Sequence, residues 1–172
     1  MTLLALIQAD ARLSARLTIP DRPGVLRTLA SLLAHSGDSP LWLAGLSITI
    51  WLGNDFWRHQ ALAGVAGILL AAMIVFALKF SIRRRRPEGE WGAIYRRLDA
   101  HSFPSGHAAR MAMLAALAVR YGPPAWAVLL AIWAVLVMLA RVAMKVHYVS
   151  DVAAGAGLGA ATGVVVALVL GS

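Results

Sequence analysis

Apolar residues in this chain come in long runs, and polar ones gather in knots between them. Residues 39–54 carry no charge and lie between Asp38 and Asp55. Residues 60–78 are uncharged and rich in Leu, Val, Ile and Ala. Residues 111–119 are bounded by Arg110 and Arg120, 125–140 are uncharged, and 152–170 complete the series. Crossing ~30 Å of hydrocarbon takes about 20 apolar residues in a helix. The second run meets that length and the first is short. Arg110 and Arg120 can snorkel to opposite interfaces and extend the third. The pattern predicts an all-α integral membrane protein, a bundle of about five transmembrane helices, with six as the alternative count. Residues 1–38 behave differently. "GVLRTLASLLAH" alternates apolar and basic positions at near-helical spacing, which suits an amphipathic helix on the membrane surface; a mobile tail is the other reading. "MTLLALIQADAR" lacks a basic leader, and Asp10 breaks its apolar run, so neither a signal peptide nor a spanning helix is expected there. The chain reads as one domain, 1–172, with an interfacial segment 1–38 and a helical bundle 39–171.

Composition strengthens the membrane reading. Of 172 residues, 60% are hydrophobic and only 14% charged, with mean hydropathy +0.73. A soluble domain carries about a quarter charged residues. The net charge of +8 points to anionic headgroups or phosphorylated substrates. Cysteine is absent, which closes disulfide, thiolate and zinc-thiolate chemistry.

The polar knots then acquire a geometry. Lys79 and "RRRRP" (83–87) follow the second run, and "PSGH" (104–107) precedes the third. Arg141 and Lys145 end the fourth, while His147 and Asp151 open the fifth. A chain that crosses alternately brings all of these to one membrane face. His147 and Asp151, four residues apart, share a helix face. The carboxylate can hold one ring nitrogen protonated and leave the other as base or nucleophile; a simple helix-start pair is the plainer alternative. The amides of Ser105, Gly106 and His107 can face an anion at a helix N-terminus, or the motif is an ordinary turn and cap. Lys79, Arg86 and Arg141 suit the oxygens of a phosphoryl group; singly, each also reads as an interfacial anchor.

Three blocks carry a resemblance. "KFSIRRRRP" is Lys, six residues, Arg-Pro; "PSGH" stands intact; "ARVAMKVHYVSD" places Arg, five residues, His, three residues, Asp. In order and spacing they resemble the type 2 phosphatidic acid phosphatase superfamily, membrane lipid-phosphate phosphatases related to vanadium haloperoxidases. The blocks run from Lys79 to Asp151. One departure stands out: the family pattern has Ser before the third-block arginine, and this chain has Ala140.

The resemblance implies that His147 attacks phosphorus, oriented by Asp151, and that His107 protonates the leaving oxygen and then activates water. Lys79, Arg86, Ser105, Gly106 and Arg141 would hold the phosphate. It implies hydrolysis of a phosphomonoester or diphosphate on a lipid (a polyprenyl diphosphate, phosphatidic acid or phosphatidylglycerophosphate). A phosphotransferase and a non-catalytic lipid-phosphate-binding protein are the alternatives. No cofactor or metal is expected, since Glu88, Glu90 and Asp99 are spread through a loop. The expected partners are the bilayer and the lipid substrate, with no nucleic acid and no obligatory protein partner.

Other residues read more plainly. His101 is expected to be a polar loop residue, and Arg110 to snorkel or reach substrate. Arg83, Arg84 and Arg85 are expected to face lipid headgroups. "EWGAIYRRL" brings Trp91 and Tyr95 to interfacial depth, as a lid or as a passive loop. Gly155, Gly159 and Gly163 form a small-residue stripe that continues the line of His147 and Asp151, so it should pack within the bundle. On the five-span layout, Arg12, Arg16, Arg22, Arg27, Arg83, Arg84, Arg85, Arg96, Arg97 and Lys145 share the site's side, against Arg58 and Arg120 opposite. The positive-inside rule then faces the site to the cytoplasm across the inner membrane, whereas the resemblance implies a periplasmic face.

Overall fold

The structure, a computed structural model, describes residues 2–91 and 99–170. Seven helices appear among them: α1 (Leu3–Arg16), α2 (Val25–Ser36), α3 (Ser39–Leu52), α4 (Asp55–Ile82), α5 (Gly106–Tyr121), α6 (Pro124–Ala143) and α7 (Val149–Leu170). The local signals that start and stop them are visible. The Asn54 side chain accepts from Trp57 N and caps α4, which ends where Arg83 turns left-handed at φ 52. Ser105 caps α5 by accepting from Ala108 N.

Among the described residues, α4, α6 and α7 are long and apolar enough to cross a membrane, while α3 is apolar but shorter. Their outward faces carry large apolar side chains, such as Leu69, Met73 and Phe76 on α4 and Leu129, Ile132 and Val135 on α6. Helix α5 falls short of that length at 16 residues, and its position explains why. It packs against α4, α6 and α7 at the centre of the bundle, so neighbouring helices supply its apolar surroundings. That seclusion lets it carry His107 and Arg110.

The glycine stripe of α7 lies against α5, as its alignment with His147 and Asp151 predicts. A Cβ at Gly155 would sit 2.4 Å from the Ser105 carbonyl, and one at Gly159 1.9 Å from that of Ala109. Only hydrogen fits there, so the two backbones meet directly.

The N-terminal segment forms two helices rather than one. Helix α2 packs on α6, and α1 touches the start of α7. Both leave apolar residues outward, among them Leu4, Leu6 and Ile7 on α1 and Val25, Leu29 and Leu32 on α2. The C-termini of α4 and α6 and the N-termini of α5 and α7 gather at one end, where the polar knots meet as the alternating layout predicts.

Candidate active site

The site begins with the arginine run. Arg85 pairs with His101 in an isolated antiparallel bridge, and Ser102 N donates to Arg84 O at 2.8 Å. An extended segment points successive side chains to opposite sides. Arg83 and Arg85 are accordingly exposed, Arg84 is half-buried, and Arg86 is buried. The expectation that Arg84 faces headgroups is therefore corrected. Its guanidinium pairs with Asp151 at 2.7 Å and Asp10 at 2.6 Å, and lies 4.0 Å over the Tyr148 ring.

His147 is presented by the turn between α6 and α7. The Arg141 carbonyl accepts from Val146 N and His147 N, and Lys145 adopts a left-handed φ of 54. The ring is 2% exposed. Its Nδ1 lies 3.6 Å from Asp151 Oδ2, and its Nε2 3.3 Å from the Arg86 guanidinium. Asp151 is itself fixed: Tyr148 N donates to it at 2.9 Å, besides Arg84. Burial and the charges of Arg141, Arg86, Lys79 and His107 hold the His147 pKa well below its usual value. The imidazole stays neutral at neutral pH, with a lone pair aimed among cations. That is what a nucleophile toward phosphorus requires.

Helix α1 completes this corner. Ser14 Oγ accepts from Val149 N at 2.9 Å, and Asp10 accepts from Ser150 N at 3.0 Å. The first amides of α7 are thus capped from a distant helix. Asp10 reads in sequence only as an interruption of an apolar run.

Lys79, Arg86 and Arg141 are buried. Asp99 joins the first two: it pairs with Lys79 and accepts from Arg86 at 2.9 Å. Burial raises the Asp99 pKa, but Lys79 and Arg86 outweigh it and hold the carboxyl below the ordinary range. This loop carboxylate occupies an anion's place between two cations. A space of about 160 Å³ adjoins it, lined by Lys79, Asp99, Gly106 and Arg110 and walled by Ile68, Val75 and Phe76 of α4. Among the described residues no group of three or more metal-ligating side chains gathers.

On the other flank, Ser105 N donates to the Asp151 carbonyl at 3.0 Å, tying "PSGH" to α7. Ser105 Oγ caps α5, so capping and proximity to the site coexist. As the first residues of the helix, Gly106 and His107 have no intrahelical carbonyl for their amides. His107 Nε2 lies 2.6 Å from Asp38 Oδ1, a contact no motif announces. Arg110 neither snorkels nor lines the site alone; it donates to the Gly37 carbonyl. Ala140 packs in an apolar cluster with Ala30, Ala34, Met144 and Val146, so α2 covers the position of the family's serine.

His101 stacks edge-on against Phe80 at 6.1 Å, as a loop residue. Trp91 packs against His35 at 5.9 Å, while Tyr95, Arg96 and Arg97 lie outside the described residues. The structure thus brings Lys79, Arg86, Ser105, Gly106, His107, Arg141, His147 and Asp151 to one end of the bundle. Sequence reasoning missed Asp10, Asp38 and Arg84 and gave Asp99 no role.

Comparison with known proteins places this arrangement. Residues 60–171 match the family model described as the PAP2 superfamily. The decaprenylphosphoryl-5-phosphoribose phosphatase of Mycobacterium tuberculosis is 35% identical over 150 residues, covering 85% of this chain and 81% of that protein. The fold is similar to the PAP2-type phosphatidylglycerolphosphate phosphatase of Bacillus subtilis, with TM-score 0.77, 24% identity, and coverage of 94% and 84% of the two chains. It is also similar to LpxE of Aquifex aeolicus, with TM-score 0.70, 21% identity, and coverage of 96% and 95%.

Proposed function

The chain belongs to the PAP2 superfamily and is a membrane phosphatase of lipid phosphates, and from that premise we propose that it hydrolyses the phosphomonoester of a polyprenyl-linked sugar phosphate. The named substrate of the mycobacterial relative supports this choice. The observation that carries the mechanism is the setting of His147, with Asp151 behind Nδ1 and the Arg86 guanidinium before Nε2.

The steps follow from that setting. Substrate phosphate displaces Asp99 and is held by Lys79, Arg86, Arg141, Ser105 and the Gly106 amide. The Nε2 lone pair of His147 attacks phosphorus while Asp151 stabilises the cationic ring. The bond from phosphorus to the sugar oxygen breaks, its electron pair passing to that oxygen, which takes a proton from His107. The products are the lipid-linked alcohol and phosphohistidine. His107, now neutral, takes a proton from water as the water oxygen attacks phosphorus. The P–N bond breaks, its pair returns to His147, and inorganic phosphate leaves. Phosphoryl transfer needs positioning and charge neutralisation most, and here three side-chain cations supply them without a metal.

The apolar wall of α4 beside Lys79 offers the lipid chain a path from the bilayer. Helices α1 and α2 lie in the interface, with their apolar edges toward lipid. Ion pairs of Asp10 with Arg84 and Asp21 with Lys145 hold them at the site's end of the bundle. Arg12, Arg16, Arg22 and Arg27 therefore count with the site, and the positive-inside rule faces it to the cytoplasm.

Purified protein in detergent with EDTA, offered a panel of lipid phosphates, tests this reading. The expected result is phosphate release, fastest from the polyprenyl-linked sugar phosphate. Faster release from phosphatidic acid or a polyprenyl diphosphate would overturn the substrate choice. Loss of lipid phosphate without free phosphate, when an acceptor alcohol is present, would indicate a phosphotransferase.

A further inference from the structure

We propose that Asp38, in the turn joining α2 to α3, is the positioning residue for His107, forming with it a second carboxylate–histidine pair alongside Asp151 and His147. The proposal rests on the phosphatase reading above, in which His107 moves the proton of the leaving group.

Four observations on the turn converge. The first is the contact itself, Asp38 Oδ1 to His107 Nε2 at 2.6 Å, with the His107 side chain 15% exposed. Next, Asp38 stands at the N-cap of α3 yet makes no capping bond with its side chain. Aspartate at that position ordinarily accepts from a first-turn amide; here the carboxylate is turned to the histidine instead. Its second oxygen is also held, 3.0 Å from His35 Nδ1, which fixes the plane of the group. Finally, the turn is fitted to the ring. A Cβ at Gly37 would lie 3.2 Å from His107 Cδ2 and 2.9 Å from Val137 Cγ1, and Arg110, one helical turn beyond His107, donates to the Gly37 carbonyl.

The chemistry follows from the tautomer. A carboxylate at Nε2 keeps that nitrogen protonated, which leaves Nδ1 as the nitrogen that exchanges a proton with the leaving oxygen and with water. The carboxylate also stabilises the imidazolium that donates the proton, as Asp151 does for His147. Burial raises the Asp38 pKa, but the hydrogen bonds from His107 and His35 prevail and hold it at about 2, so the group is an anion throughout the working range. Each histidine is thereby buttressed by its own carboxylate, one from α7 and the other from the turn before α3. Folding of that turn onto the bundle completes the acid–base half of the site.

Asp38→Asn tests this, with two substrates whose leaving groups differ in their need for a proton. A long-chain alkyl phosphate has a leaving alkoxide that must be protonated, whereas p-nitrophenyl phosphate leaves as a stable anion. The variant should lose roughly ten- to a hundredfold in kcat/KM on the alkyl phosphate, as when the partner that orients a metal-bound histidine is removed. The kcat/KM for p-nitrophenyl phosphate, which reports the chemistry only up to departure of p-nitrophenolate, should stay within about threefold, a small change beside a general-acid effect. Equal losses of kcat/KM on both substrates would reduce Asp38 to a structural role and overturn the proposal, as would an unchanged or increased value on the alkyl phosphate. Wild-type turnover of the alkyl phosphate, abolished by His147→Ala, is measured first and judges the phosphatase reading separately. Should Asp38→Asn fail to fold, nitrogen-15 spectra of the wild-type histidine rings, assigned with His107→Gln, read the contact with or without turnover. A hydrogen-bonded proton on Nε2 of His107 supports the pair, and an unprotonated Nε2 overturns it.

Discussion

Asp99 and His147 show how the site is tuned residue by residue. The Asp99 carboxylate, with its side chain 40% exposed, pairs with both Lys79 and Arg86, where the proposed mechanism seats a phosphate oxygen. Removing its charge should make the cations easier to reach. Asp99→Asn is expected to lower KM about fivefold, on the order of 1 kcal/mol for a partly screened pair. Steady-state kinetics check this, and a raised KM would show that Asp99 aligns the cations rather than competing for them. His147 needs its neutral form to attack. Because its pKa is lowered by burial and nearby cations, that form persists as pH falls through the ordinary histidine value of 6.5. The kcat/KM for p-nitrophenyl phosphate, corrected for ionisation of the substrate, should therefore show no acid limb near pH 6.5. A limb there would mean that the ring is more solvated than its enclosure indicates.

Among the elements, the contact of α7 with α5 sets the site's dimensions, since it spaces Asp151 from Ser105. Gly159 and Gly157 offer a matched pair for testing it. A Cβ at Gly159 would overlap the Ala109 carbonyl, whereas at Gly157 nothing lies within 4 Å. Gly159→Ala should cost about 1–3 kcal/mol, as overpacking does, and lower Tm in detergent by several degrees. Gly157→Ala should leave Tm within about a degree, the small effect usual for a surface substitution away from contacts. Similar shifts for both would mean that α7 does not approach α5 this closely. This contact was legible in the sequence, because the four-residue glycine period coincides with the His147–Asp151 face. The inward turn of Arg84 was partly legible. Arg-Pro favours an extended backbone and hence alternation, but alternation alone does not reveal that Asp10 and Asp151 await the guanidinium. Asp38 and Asp10 were not legible as site residues. Their partners lie 69 and 74 or more positions away in the chain, and no local periodicity encodes such a meeting.

For the whole molecule, five apolar runs and three ordered blocks were enough to foresee an all-helical membrane protein with its polar residues at one end. They did not foresee that the N-terminal segment forms two helices that brace the site through Asp10, Ser14 and Asp38. The cytoplasmic facing proposed from the charge distribution is directly testable. Helix α4 alone separates Asp55 from Ile82 by roughly 40 Å at 1.5 Å per residue. The protein has no cysteine, so single cysteines at Asp55 and Glu88 mark the two ends. With an impermeant maleimide on intact cells, Asp55→Cys should label and Glu88→Cys should not. The reverse pattern would place the site on the outer face.

On the proposed mechanism, phosphate passes through His147. Wild-type protein mixed for milliseconds with a phosphorus-32-labelled lipid phosphomonoester, then quenched in alkali and digested, tests it most directly. An alkali-stable, acid-labile label is expected on the peptide carrying His147, absent from His147→Ala. Rapid turnover with no protein-bound phosphate, or label on any other residue, would contradict it.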